Sequence, residues 1–354
     1  MKGLIIRIIK QMKNDRRTLA LMMIAPLMIM SLMYLLLGES SYEPVIAIDS
    51  SFPQSIAETM KEQSVKVVRF DDDIDERLKN KEIDAYLSTG PNGMTIRMLE
   101  SDGVKVSKVT DALKSTMAKA NPAGGTTISF LYGDMQASVF DNMIYALLGV
   151  ISFFLIFLIS GVSFVRERTT GTLERLMLTP IKRYSVVMGY TIGFGIFAII
   201  QSILITLYCH YILGMRFFGP EGNALLTGSE GGRIFFDSML LTIVIMILLA
   251  FAAVATGTLV SIFANNEFQV VQFIPVIIIP QIFFSGIIPI DTLPFHLNNL
   301  SYIMPVYYGC SALRNVILKG FGFSQIRGCL AALAAYIVLL SVINTLALKK
   351  YRKL

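Results

Sequence analysis

The stretch RERTTGTLERLMLTP, residues 166–180, is a charged island between two long apolar runs. Residues 142–165 before it are 24 positions without a charge, and residues 184–215 after it are 32 more. Both exceed the roughly 20 residues that a helix needs to cross about 30 Å of hydrocarbon. The island therefore sits at a membrane face, tethered between two spans. Within it Leu173, Leu176, Met177 and Pro180 recur at helical spacing, while Arg168, Glu174 and Arg175 fall elsewhere on the turn. Gly171 and the threonines before it suit a helix start, where Glu174 complements the macrodipole. Pro180 disfavours helical geometry at Thr179, so the helix is about two turns long. It reads as a handle gripped by something outside the membrane. Its apolar stripe could pack on the chain's own helices or in a partner's groove; Glu167, Glu174 and Arg175 are the candidates for contacts that carry force.

Composition sets the class. Hydrophobic residues make up 54% of the 354, charged residues 16%, and mean hydropathy is +0.62, against about 25% charged in soluble domains. This is an α-helical polytopic membrane protein. Residues 39–141 hold 11 Lys+Arg against 17 Asp+Glu in a chain whose net charge is +6. An acidic insert in a basic membrane frame accounts for the pI of about 9.1 and points away from nucleic acid. Cys209, Cys310 and Cys329 fit no metal spacing and read as small apolar residues, although their shared predicted membrane face leaves a disulfide open.

Residues 1–17 form a basic amphipathic segment: Leu4, Ile5, Ile8, Ile9 and Met12 on one face, six Lys/Arg over most of the rest. Such a helix lies in the interface, apolar side in the acyl boundary and cations toward anionic headgroups. The first span, 18–38, is too long for a signal-peptide core and precedes no A-x-A site. Residues 39–141 turn soluble in composition and read as a small α/β domain followed by a linker. Its strands are expected at 44–51, 65–70, 83–88 and 94–99, and its helices at 55–63, 73–81 and 104–120. The acidic run Asp71 to Asp73 lacks the alternation of a calcium loop and suits a helix N-terminus. Residues 142–354 hold five more spans, at 142–165, 184–213, 238–264, 268–290 and 328–348. Between the last two, residues 285–327 read as a re-entrant or interfacial segment, because irregular backbone at membrane depth must be protein-covered.

Six spans put both termini on one side. The N-terminal segment, the loop 166–183 and the tail carry 15 Lys/Arg, the other short loops five. The positive-inside rule therefore makes the termini and the handle cytoplasmic and residues 39–141 extracytoplasmic.

Chemistry is conspicuous by its gaps. No GxxxxGK[ST], His-Glu-x-x-His or Ser/His/Asp order occurs, so the chain does not read as an enzyme. The spans hold no ionisable residue except His210, which disfavours an ion-driven carrier. Gln201, Gln269, Gln272 and Gln281 suit interhelical hydrogen bonds or, alternatively, a mainly apolar substrate path. Gly189, Gly193 and Gly195 suit close helix contact.

These features resemble the permease subunit of a type-2 ABC transporter over nearly the whole chain. The most specific likeness is Arg166-Glu167, Gly171-Thr172-Leu173-Glu174 and Thr179-Pro180-Ile181; residues 283–308, FFSGIIPIDTLPFHLNNLSYIMPVYY, add to it. Ile144-Tyr145-Ala146 stands where relatives often carry a proline. The resemblance implies a dimer of permeases, identical or related, each docked on a separate ATP-binding subunit that holds ATP and Mg. Arg166, Glu167, Gly171, Thr172, Leu173, Glu174, Arg175 and Pro180 would couple to that subunit, and residues 1–17 would be an elbow resting on the same region. It also implies a bacterial exporter of drugs, antibiotics or other lipophilic compounds in the cytoplasmic membrane. A membrane sensor or scaffold with an outer ligand-binding domain is the alternative.

Overall fold

A computed structural model of the chain describes residues 2–37, 45–49, 54–61, 65–69, 74–80, 82–90, 93–98, 139–215, 217, 229–287 and 298–348. The chain divides into two compact units, Met1–Gly38 with Leu131–Leu354, and Glu39–Phe130.

The smaller unit contains β1 (Val45–Ile48), α1 (Gln54–Lys61), β2 (Lys66–Arg69), α2 (Ile74–Lys79), β3 (Ala85–Gly90) and β4 (Gly93–Met98). Its sheet runs β2-β1-β3-β4, with β1 parallel to both β2 and β3, and β4 antiparallel to β3. Parallel neighbours need helical crossovers, so both sheet faces are covered. Ile46, Ile48 and Leu87 pack with Ala57 and Met60 of α1 on one face; Ala47 packs with Ile83 and Ile74 on the other. The expected helix at 104–120, the linker and the Asp71–Asp73 run lie outside the described residues.

The larger unit opens with α3 (Lys2–Asn14) and α4 (Arg16–Leu37). Only Asp15 separates them; its carboxylate accepts hydrogen bonds from the Thr18 N–H (3.2 Å) and hydroxyl (2.7 Å), an N-cap that restarts the helix. Then come α5 (Val139–Thr169), α6 (Thr172–Met177), α7 (Arg183–Tyr211), α8 (Ser229–Phe263), α9 (Glu267–Gln272), α10 (Ile274–Ile282), α11 (Asn298–Ser301), α12 (Pro305–Ile317) and α13 (Phe323–Ala347). Six helical stretches among the described residues are long and apolar enough to cross a membrane. α5 is the hub, with 72% of its apolar window buried, against 17% for α4 and 22% for α13. The rim helices keep their apolar faces outward, as lipid requires.

Two features differ from the sequence expectation. The fifth span is broken: a turn at Phe273 separates α9 from α10, and a π-helical turn over Phe283–Ile287 ends in a kink at Gly286 (φ 89°). Pro275 and Pro280 lack the N–H that an unbroken helix would use. The Tyr145 hydroxyl of α5 donates to the Gly286 carbonyl at 2.9 Å, satisfying it. Second, α13 starts at Phe323, taking Arg327 into the helix. α12 is buried by Val306, Gly309, Cys310, Leu313 and Val316 against α5, α8 and α13, and Leu300 and Ile303 before it stay exposed. Residues 288–297 lie outside the described residues. Cys209, Cys310 and Cys329 are free thiols.

α5 and α8 touch through backbone. A Cβ on Gly257 of α8 would lie 2.4 Å from Ser160 Oγ and 2.6 Å from the Phe157 carbonyl oxygen. Gly257→Ala is expected to lower stability by about 1–3 kcal/mol through overpacking. Gly328→Ala, where nothing lies within 4 Å, should raise it by about 0.5–1 kcal/mol. Thermal unfolding in detergent distinguishes the two.

Candidate functional site

α5 does not stop where its apolar run ends at Val165. It continues through the charged island to Thr169, so Arg166, Glu167 and Arg168 point in different directions around one helical turn. Glu167 turns inward and is 4% exposed. Arg7 of α3 donates to Glu167 Oε2 at 2.7 Å and to the Tyr190 hydroxyl at 2.8 Å. Tyr190, held between the rings of Phe164 and Phe194, donates to the same Glu167 oxygen at 3.0 Å. A buried carboxylate is tolerable only with such partners.

Arg166 points the other way. Its Nε donates to Glu267 Oε1 at 2.9 Å and its Nη2 to Oε2 at 3.4 Å, and Asp15 lies 3.6 Å from its Nη1. The Asp15 carboxyl is held below the usual carboxylate range, chiefly by the Thr18 hydroxyl and N–H, with Arg166 adding to this. Arg168 donates to the Ser261 (2.9 Å), Ile262 (2.8 Å) and Ala264 carbonyls, the groups that the end of α8 leaves without helical partners. Three successive side chains thus tie α5 to α3 and α7, to the start of α9, and to the end of α8.

The chain breaks at Gly171, whose φ of 71° is left-handed and whose Cβ position is otherwise open. That φ is what the glycine is for. In α6, Leu173 is buried at 2% exposure, and Leu176 and Met177 pack on the bundle core. Its stripe belongs to the chain's own fold. Thr172 is half-buried, while Glu174, Arg175, Leu178 and Pro180 face outward, with Leu178 87% exposed. The coupling residues expected from the sequence therefore separate. Glu167, Arg166 and Leu173 make internal ties, and Glu174, Arg175 and Pro180 form an outer face.

Sequence reasoning did not single out Leu178, which is exposed beside Glu174 and Arg175, or Arg7 and Tyr190, which hold Glu167. Leu178 sits off the stripe, an apolar residue on the polar side of α6, which is itself a signal. Arg7 follows Leu4 by three residues, on the flank of the stripe that α3 buries. Tyr190 offers no such signal, since its partners come from distant segments.

The α3 stripe corrects an expectation. Leu4, Ile8 and Met12 are not turned to acyl chains. Leu4 and Ile8 fit over Gly189 and Gly193 of α7, where a Cβ would come within 2.5 Å and 2.8 Å of them.

The four glutamines do not line one path. Gln269 closes the turn before α9: its N–H donates to Asn266 Oδ1 (2.8 Å), and its Oε1 accepts from the Asn265 N–H (2.6 Å). Gln272 is exposed. Gln281 accepts from the Val306 N–H at 3.1 Å, securing the start of α12. Gln201 alone is fully buried with both amide atoms unpaired. An apolar recess of about 500 Å³ between α4 and α7, lined by Leu27, Ile200, Ile203, Leu204 and Leu207 among others, includes none of them. His210 pairs with the Met215 carbonyl at 3.0 Å.

The signature described as "ABC-2 family transporter protein" matches residues 16–346. The chain belongs to the ABC-2 transporter family. Its similar relatives include ABC transporter G family member 20 of Dictyostelium discoideum, 24% identical over 277 residues, which are 77% of this chain and 35% of that one. In Escherichia coli (strain K12), the probable multidrug ABC transporter permease YbhR is 22% identical over 175 residues, 49% of this chain and 43% of YbhR. The probable multidrug ABC transporter permease YbhS is 27% identical over 157 residues, 44% and 37%. The chain spans less than half the length of each of these relatives. As an ABC-2 family protein with six candidate spans it is a multi-pass membrane protein.

In this ABC-2 chain the Arg7–Glu167 contact is testable by a double-mutant cycle. Arg7→Met with Glu167→Gln should show a coupling of about 1–2 kcal/mol in thermal unfolding, reduced from a fully buried pair because Arg7 is partly exposed.

Proposed function

We propose that the chain is the membrane-spanning permease subunit of an ATP-driven ABC exporter, and that a separate ATP-binding subunit docks on the outer face of α6. The observation that carries this is the face itself. The short helix α6 and the turn that follows it present Glu174, Arg175, Pro180 and an 87% exposed Leu178, while the turn of α5 before them is tied to α3, α7, α8 and α9. A load placed on that face reaches four helices at once.

In this reading ATP and Mg are held by the partner, which is supported by the lack of a GxxxxGK[ST] pattern within residues 1–354. The uneven placement of Lys and Arg supports cytoplasmic termini and an extracytoplasmic 39–141 domain. The cargo is a lipophilic or amphiphilic compound moved outward. Supporting this are spans almost free of ionisable groups and the printed names of YbhR and YbhS, probable multidrug permeases. A second permease copy, or a related one, completes the assembly in the bacterial cytoplasmic membrane.

Co-expression with a candidate ATP-binding subunit tests the reading. A stable complex with ATPase activity is expected, and Leu178→Asp should reduce complex recovery by about tenfold or more, a loss of ~1.4 kcal/mol or more, with the melting temperature of the isolated chain unchanged. Failure to form any complex, with a ligand bound by the 39–141 domain instead, would favour a sensor.

A further inference from the structure

α3 has a second face that the bundle leaves uncovered. Its Leu4, Ile8 and Met12 stripe is taken up within the chain, yet Ile6 remains 43% exposed, with Ile5 and Ile9 half-buried alongside. Around this strip stand Lys2, Lys10 and Lys13, all exposed, and Arg16 and Arg17 follow in the first turn of α4. None of the five makes an ion pair among the described residues. The nearby acids are engaged: Asp15 by Thr18 and Arg166, Glu167 by Arg7 and Tyr190.

Position decides what covers this face. α4 is a membrane span whose apolar run begins directly after Arg17, and one residue joins it to α3. With α3 seated on α7, its open face lies at the headgroup level of the same leaflet. An exposed isoleucine strip flanked by long cations matches one chemistry. Acyl carbons cover the isoleucines, while phosphates meet the ammonium and guanidinium groups at the ends of snorkelling stems.

We propose that this face is a docking site for acidic phospholipids, and that their binding keeps α3 seated on α7. The inference is independent of the cargo and of the ATP-binding partner. The test uses the full chain purified in neutral detergent, titrated with phosphatidylglycerol and with phosphatidylcholine, and read by native mass spectrometry and thermal unfolding. Phosphatidylglycerol should bind more tightly and raise the melting temperature. Lys10→Gln/Lys13→Gln should weaken its binding by about tenfold or more, and Lys10→Arg/Lys13→Arg should keep it. Arg327→Gln, a charge loss on another helix, should leave it unchanged. Equal affinity for the two lipids, undiminished phosphatidylglycerol binding by the Gln double variant, or displacement by inorganic phosphate at matching concentration would each overturn the proposal. So would a Gln double variant that loses only a protein partner.

Discussion

A carboxylate cannot be left alone in a protein interior, and Glu167 is where this chain meets that constraint. It sits at the end of the most enclosed span, 4% exposed. Satisfying it requires the Arg7 guanidinium from one end of the sequence and the Tyr190 hydroxyl from the next span. The amphipathic N-terminal helix is therefore more than a float on the membrane. It supplies the cation, and its Leu4 and Ile8 find room only because α7 carries glycine at 189 and 193. Charge and packing specify the same placement.

The neighbouring residues extend this logic. Arg166 and Arg168 use the wide reach of the guanidinium to bridge to a carboxylate pair and to the carbonyls at the end of α8. Lysine would supply charge at either site but not the fork. These side chains are tied to other helices of the chain, whereas Glu174, Arg175, Leu178 and Pro180, beyond the Gly171 break where the backbone changes direction, point outward.

Much of this was legible in the chain. Twenty-residue apolar windows located the spans, and alternation with turn residues located the sheet. The i, i+3, i+4 stripe in 173–177 located the short helix. The choice of what each stripe packs against was not legible, because it depends on segments far away in sequence. Leu173 looked equally suited to a partner's groove, and Leu4 and Ile8 to acyl chains. Glu167 read as a surface contact because its partners lie 160 and 23 residues away. The break in the fifth span was foreshadowed by Pro275 and Pro280, but composition alone made one continuous apolar run. The glutamines looked like one class, whereas Gln269 and Gln281 serve local backbone ends and only Gln201 is buried without partners.

α5 runs unbroken for 31 residues and contains no proline, so it is a rod about 45 Å long at 1.5 Å per residue. At one end it carries Glu167 in its clasp; near the other, Tyr145 grips the kinked carbonyl of Gly286. A proline near Ile144-Tyr145-Ala146 would place a soft joint just before that grip. Without one, α5 joins the two contacts as a single helix with no proline joint between them. A rigid-body tilt of such a rod would move both of its ends.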